Sequence, residues 1–293
     1  MTALVTQKHR STPARNSLRS MGLLLPMTWN QRVTLYYRTY SHFLHILAGD
    51  TAMLNFGQEQ LCDETVAKFP PYGRWLDVGC GIGGPACYFG SRRPDVGITG
   101  INITDHQLVQ AASRAATLGL ESRVMFQHGD ACNMPFDGTA HFDALYAIES
   151  AFHYPDKGAF VREAFRVLKA GGSFACADLV SREGRPIAWR DRFVNKVFFG
   201  WFGAFKTLGP SEWASLLESA GFEEVEIVDV TDSIFRPGLA GALERIEQER
   251  DELLRHYTPF SIAVVRWCYR WLLTDLERRP IQYVVMRARK PGA

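Results

Sequence analysis

Trp75–Pro85 reads WLDVGCGIGGP, and the fold can be worked outward from it. A short apolar run at 74–78 (RWLDV) reads as a strand and stops at Gly79. Gly81, Gly83 and Gly84 follow, and a helical pattern opens near 84 and runs to about 92. A strand that ends in a glycine-rich turn and leads into a helix lets the backbone approach a ligand closely and aims helix N–H groups at it. That much suits a nicotinamide dinucleotide equally well. Asp77, two residues before the first glycine, separates the alternatives. A carboxylate fixed beside the turn repels an anionic pyrophosphate and attracts an ammonium group, which S-adenosylmethionine carries.

From Arg74 onward, short apolar runs alternate with helical patterns, the signature of an α/β protein with a parallel sheet. Strands are expected at 96–102, 123–128, 142–148 and 173–179, with helices at 105–118 and 157–169 between them. In the last helix Phe160, Val161, Ala164, Phe165 and Leu168 recur at helical spacing, and Gly171-Gly172 is expected to end it. A helix after Ser211, a strand at 223–230 and a final strand at 281–287 complete the pattern. Three stretches fall outside it: 20–60, helical and aromatic; 186–208, after the fifth strand; and 233–279, helical and divided at Pro259. The chain thus divides into a basic tail and N-terminal helical segment at 1–53 and a main domain at 54–293. All three stretches are candidates for a substrate cap, those near 186–208 and 233–279 as insertions in the main domain.

The 293 residues are 46% hydrophobic and 22% charged, a balance that excludes a disordered chain, a collagen-like repeat and a coiled coil. Net charge is only +2, so nothing global favours nucleic acid. The first 49 residues hold six basic side chains and no acid, which suits a transit peptide or a plain basic tail. Met21–Met27 is too short for a signal sequence and no run spans a bilayer, so a soluble chain is expected. Cysteines at 62, 80, 87, 132, 176 and 268 form no CxxC pair and no His–Cys zinc spacing. Several lie in apolar runs, so a reducing cytoplasm and no bound metal are expected.

A second motif agrees with the first. GDACNMPF at 129–136 puts Asp130 just past the third strand, placed to accept from an adenine amino group, with the Ala131 N–H in reach of the ring. Taken singly, Asp130 is as well read as a turn acid and Asp77 as a strand-end acid; their joint spacing with the glycines favours the cofactor. Together with LDVGCGIGGPA, GINITDHQ, YAIESAFHYPDK and RVLKAGGSFACADL, this motif gives the chain its likeness. It resembles the class I S-adenosylmethionine-dependent methyltransferases over about residues 54–180. Within them it is most similar to the branch holding the rebeccamycin sugar O-methyltransferase and the tocopherol and sterol C-methyltransferases. The resemblance implies a Rossmann-like seven-stranded sheet, the last strand antiparallel, with Asp77, Gly79, Gly81 and Gly83 on the methionine side of the cofactor. The wider class usually carries an acid at the end of the second strand, where Asn102 stands here; an amide still offers two hydrogen bonds to the ribose. Gln107 matches a glutamine of that branch and would reach ribose or adenine, but Thr104-x-x-Gln107 also has the spacing of a capping box.

Methyl transfer needs an acceptor aligned with the sulfonium and, for a hydroxyl, a group to take its proton. Open α/β sheets bind ligands at the carboxyl ends of their strands, which singles out Glu149 and His153 after the fourth strand and Asp178 on the fifth. His153 suits base work at neutral pH, against a structural histidine before Pro155. Asp178 is an orienter or second base, against a satisfied strand-end acid. The resemblance implies a His and an Asp at these two motif positions, and from the sterol enzymes it implies that Glu149 stabilises a carbocation if the acceptor is an alkene. Otherwise Glu149 helps hold the cofactor.

Phe198, Trp201 and Phe202 belong to an aromatic stripe in 186–208 that reads as a pocket lid or as core. The expected activity is transfer of a methyl group to an oxygen of a hydrophobic specialised metabolite, as in antibiotic biosynthesis. A prenyl or sterol-like alkene acceptor is the alternative, and a cofactor-binding fold without transfer is another. Basic residues beside the stripe leave membrane contact open, and the apolar stretch at 260–273 leaves a homodimer open.

Overall fold

A computed structural model of the chain describes residues 27–48, 55–184 and 207–292. Seven strands form one sheet in the order β3-β2-β1-β4-β5-β7-β6. They are β1 Gly73–Val78, β2 Val96–Asn102, β3 Val124–His128, β4 Phe142–Ile148, β5 Leu168–Ser181, β6 Glu223–Asp229 and β7 Ile281–Arg289. The first five run parallel, and β7 enters antiparallel between β5 and β6. This is the Rossmann-like α/β sheet expected, with its last strand reversed.

Helices cover both faces. α1 is Trp29–Ala48, α2 Gln58–Thr65, α3 Gly84–Arg92, α4 Asp105–Thr117, α5 Lys157–Val167 and α6 Pro210–Ser219. Between β6 and β7 a wide turn at Thr231–Phe235 leads into α7 Arg236–Gln248, α8 Arg250–His256 and α9 Pro259–Leu273. Pro259 starts α9 rather than breaking a helix, since its missing N–H costs nothing in a first turn, and the Thr258 side chain caps it.

The sheet sorts its side chains by alternation. On β1, Trp75 enters one buried layer, while Leu76 and Val78 enter the other. Trp75 meets the rings of Phe89 and Tyr146 edge-on, at 5.6 and 6.3 Å between centroids. Each such pair adds about 0.5–1.5 kcal/mol beyond burial. Trp75 is fully buried, so cutting it to Ala should cost about 3–5 kcal/mol.

One expectation needs correction. Gly171-Gly172 does not end α5, which stops at Val167; both glycines lie inside β5. Leu168 already pairs with Phe142, and the register shifts before Ser173 pairs with Ala144. Gly171 supplies the positive φ (74°) that this irregularity needs, and its N–H donates to the Lys290 and Pro291 carbonyls at 3.0 Å.

Candidate active site

The carboxyl ends of β1, β2, β4 and β5 open into one pocket. It lies where the strand order reverses, between β1 and β4. Gly79, Gly81 and Gly83 all take positive φ (77°, 52° and 78°), so the turn requires glycine for its backbone alone. Space requires it too. A Cβ on Gly79 would stand 2.5 Å from Ser150 Cβ, and one on Gly83 would stand 2.8 Å from the Phe126 ring. The Gly79 and Cys80 N–H groups donate to the Ile101 carbonyl at 2.8 and 3.1 Å and fasten the turn to β2. Behind it, the Ser150 and Tyr154 hydroxyls donate to the Val78 carbonyl at 2.8 and 3.0 Å.

Asp77 projects beside this turn and is buried. Its Oδ2 has no hydrogen-bond partner among the described residues. Burial pushes its carboxyl up to about 7, the Tyr146 hydroxyl alongside opposing only part of the rise. Such a group gains by meeting a cation.

Further along, Asn102 Nδ2 donates to Gln107 Oε1 at 2.9 Å, leaving Gln107 Nε2 buried without a partner among the described residues. The capping box is not made: Thr104 precedes α4 without a side-chain cap bond. Gln107 therefore turns inward, with its amide available to a ligand. Asp130 closes this end. Its Oδ1 accepts from the Cys132 N–H and its Oδ2 from Asn30 Nδ2 of α1, both at 2.8 Å, and Ala131 lines the pocket beside it.

These residues fit S-adenosylmethionine. A carboxylate whose Oδ2 has no partner among the described residues stands at one end, amide groups lie midway, and Asp130 with Ala131 beside it stands at the other. The glycines between them leave room that any side chain would fill.

On the acceptor side, His153 sits in a short 3-10 turn, Ala151–His153, and is buried. Its Nε2 lies 2.8 Å from the Tyr37 hydroxyl of α1, and its carbonyl accepts from the Trp29 indole. Asp178 does not touch the ring in these bonds. Its two oxygens accept from the Phe152 and Leu179 N–H groups at 2.8 and 2.7 Å, so it fixes the backbone of the turn that carries His153. Burial pushes Asp178 up to about 7, the two N–H donors and Lys157 opposing. Lys157, whose Nζ donates to the Tyr154 carbonyl at 2.7 Å, is lowered to about 8 by burial.

Glu149 has a positive φ of 48°, a strained position for a residue with a Cβ. Its Oε1 accepts from the Phe56 N–H at 2.7 Å and the Tyr283 hydroxyl at 2.8 Å, and burial pushes the group up to about 8.

The roof is α1 with α7 and α9. Tyr36, Leu44 and Leu47 of α1, Ala242 and Arg245 of α7, and Tyr269 of α9 line it, and Arg245 Nε is buried without a partner among the described residues. Tyr40 stacks on Tyr257 at 6.4 Å, and the Phe43 N–H donates to the Tyr257 hydroxyl at 2.9 Å. Phe198, Trp201 and Phe202 lie outside the described residues. Sequence reasoning missed Asn30, Tyr37 and Arg245; the aromatic run in α1 was the available signal, and it does not name partners.

The fold and pocket are those of a methyltransferase domain, and residues 76–176 match the family model described as "Methyltransferase domain". The 27-O-demethylrifamycin SV methyltransferase of Amycolatopsis mediterranei is 33% identical over 248 residues, 83% of this chain and 87% of that one. The sterol 24-C-methyltransferase erg6 of Aspergillus fumigatus is 35% identical over 203 residues, 66% of this chain and 50% of that one. Among solved structures, the [4+2]-cyclase SpnF superposes with a TM-score of 0.76 at 26% identity, covering 92% of this chain and 99% of that one. The chain belongs to the class I S-adenosylmethionine-dependent methyltransferases. It is an enzyme of small-molecule methylation, and S-adenosylmethionine is its cofactor. No helix among the described residues is long and apolar enough to cross a membrane.

Proposed function

We propose that the enzyme methylates an oxygen of a hydrophobic specialised metabolite, with His153 as the general base. The observation that carries this is His153 itself: a buried imidazole at the pocket wall, its Nε2 facing a Tyr37 hydroxyl brought in by the roof. Bound along Asp77, the glycine turn, Asn102, Gln107 and Asp130, the cofactor supplies an electrophilic methyl group. Asp77 holds the ammonium end and Asp130 the adenine amino group. Burial, with Glu149 and Asp178 nearby, pushes the Tyr37 hydroxyl well up, so it stays protonated and serves as a donor or a relay rather than as a base. As the acceptor oxygen took the methyl group, the methyl–sulfur bond would break and leave a neutral thioether, and the oxygen's proton would pass to His153 directly or through Tyr37. Asp178 keeps the turn in place. Glu149, pushed up to about 8 by burial in the free enzyme, accepts from the Phe56 N–H and the Tyr283 hydroxyl and so ties the end of β4 to the segment before α2 and to β7. The aromatic roof suits an apolar skeleton, and Arg245 suits an oxygen-bearing substituent on it.

The relative whose name specifies 27-O-demethylrifamycin SV supports an antibiotic-like acceptor. Transfer of labelled methyl to a panel of polyketide and glycosylated metabolites tests this directly. A variant Glu149→Gln that loses all turnover while His153→Ala retains it would point to the alkene chemistry of the sterol relative instead. The likeness to the cyclase SpnF favours one second reading, a pocket that rearranges its acceptor without transfer; product formation with no label incorporated would establish it.

A further inference from the structure

The fold gathers His42, Glu252 and His256, whose side-chain ligand atoms all lie within 4.8 Å of one another, on the outer side of the roof. His42 is on α1, while Glu252 and His256 stand one turn apart on α8. None of the three lines the pocket, and the activity proposed above does not use them. His256 Nε2 is 3.3 Å from Glu252 Oε1, and His42 Nε2 is 3.7 Å from the same oxygen. A tetrahedral ion with bonds of about 2.0–2.1 Å separates its ligand atoms by roughly 3.3 Å, so the His256–Glu252 pair already has that spacing and the other two pairs, within 4.8 Å, close with small rotamer shifts. The two imidazole rings meet at 4.1 Å between centroids, an approach that two charged rings would oppose. Arg255 occupies the other carboxylate oxygen of Glu252, leaving Oε1 to face both rings.

We propose that His42, Glu252 and His256 bind a divalent ion of the zinc class, which pins α1 to α8. Two imidazoles and one carboxylate select zinc, nickel or copper over magnesium and calcium, which prefer an all-oxygen shell. The fourth position is open to water. His42 lies five residues beyond Tyr37, about 7.5 Å along the same helix. An ion at this point therefore fixes the helix that presents Asn30 to Asp130 and Tyr37 to His153.

The test uses the full chain stripped with a chelator. Calorimetric titration with zinc chloride should show one saturable site per chain, and magnesium chloride should show none. His42→Ala and His256→Gln should each weaken zinc binding at least about tenfold, as loss of a ligand does. Both side chains are half-exposed, so the metal-free variants should melt with the parent, which confirms that they fold. Amide exchange across 29–48 should slow when zinc is added to the parent and stay unchanged in His42→Ala. Absence of a saturable site, or equal affinity in parent and variants, overturns the metal site. Binding without added protection of α1 overturns the pin.

Discussion

The floor and the roof of the pocket are built on different plans. In the floor, residues close in sequence share one turn: Asp77 and Gly79 to Gly83, Asn102 and Gln107, Asp130 and Ala131. The glycine turn is set by positive φ angles and backbone hydrogen bonds, and the strand-end residues beyond it by short-range bonds such as Asn102 to Gln107 and the Cys132 N–H to Asp130. The roof is held by ring contacts and single side-chain bonds between segments far apart in the chain, such as Asn30 with Asp130 and Tyr37 with His153. A rigid floor suits an invariant cofactor. A roof joined by interchangeable apolar contacts suits an acceptor that differs between relatives, as the rifamycin and sterol enzymes do.

The contrast can be broken most forcefully at His153, the base proposed above. His153→Ala should lower kcat by about 10²–10⁴, the usual share of a positioned proton acceptor, with cofactor affinity unchanged. If calorimetry shows the cofactor lost as well, floor and roof are a single cooperative unit.

Next in size is the glycine turn. Gly79→Val meets Ser150 at 2.5 Å and forces a β-branched residue to a φ of 77°. Strain and overpacking together cost about 2–6 kcal/mol, so cofactor binding should fall at least thirtyfold. An unaffected dissociation constant would mean that the floor is softer than its geometry implies.

A third effect sharpens the electrostatic side of the comparison. Asp77 is raised to about 7 in the free enzyme, above its unfolded value, so its ionised form destabilises the fold. Its contribution to stability is present below the ordinary aspartate range and is lost as pH rises through about 7. Glu149, raised to about 8, acts in the same direction. An ammonium ligand draws Asp77 back to the anion, so cofactor binding at pH 6 should release a proton, and its dissociation constant should rise as pH falls below 7. Calorimetry in two buffers of different ionisation enthalpy measures the proton. In Asp77→Asn the release should vanish and affinity drop by about 1–3 kcal/mol.

The smallest expected change is in the roof. Asn30→Ala removes one neutral donor from Asp130, a loss of about 0.5–1.5 kcal/mol, or threefold to tenfold in cofactor affinity. A change a hundred times larger would place α1 with the floor.

The same division explains what the sequence could and could not disclose. Asp77 and its glycines were legible because strand, turn and helix follow in order and each glycine has a local steric cause. Seven strands and the helices between them were legible for a similar reason, since apolar runs and periodicity are local. The Gly171-Gly172 pair misled because two glycines after an apolar helical pattern signal a helix end, while the pairing of Leu168 with Phe142 is a tertiary fact. Thr104-x-x-Gln107 has the spacing of a cap, but a buried amide gained more from Asn102 than from the helix end. Tyr37, Asn30 and the His42–Glu252–His256 group depend on where α1 comes to rest, and no local pattern encodes that.

The antiparallel strand has a consequence for how the molecule is made. Among the described residues β6 attaches to the sheet through β7 alone, yet it leaves the ribosome first, with α7, α8 and α9 still to follow. Throughout that interval it is a nascent strand with no neighbour, exposed to other unfinished chains. Glu223, Glu224, Glu226 and Asp229 crowd this strand with negative charge. Like charges along an unpaired nascent strand repel a second copy of the same strand, so they act as a guard during synthesis, before Glu226 pairs with Lys68 and Arg287 in the finished fold. Neutralising Glu223 and Glu224 to Gln, which leaves the Glu226 ion pairs in place, should therefore lower soluble yield during translation more than it lowers the melting temperature of the protein that does fold.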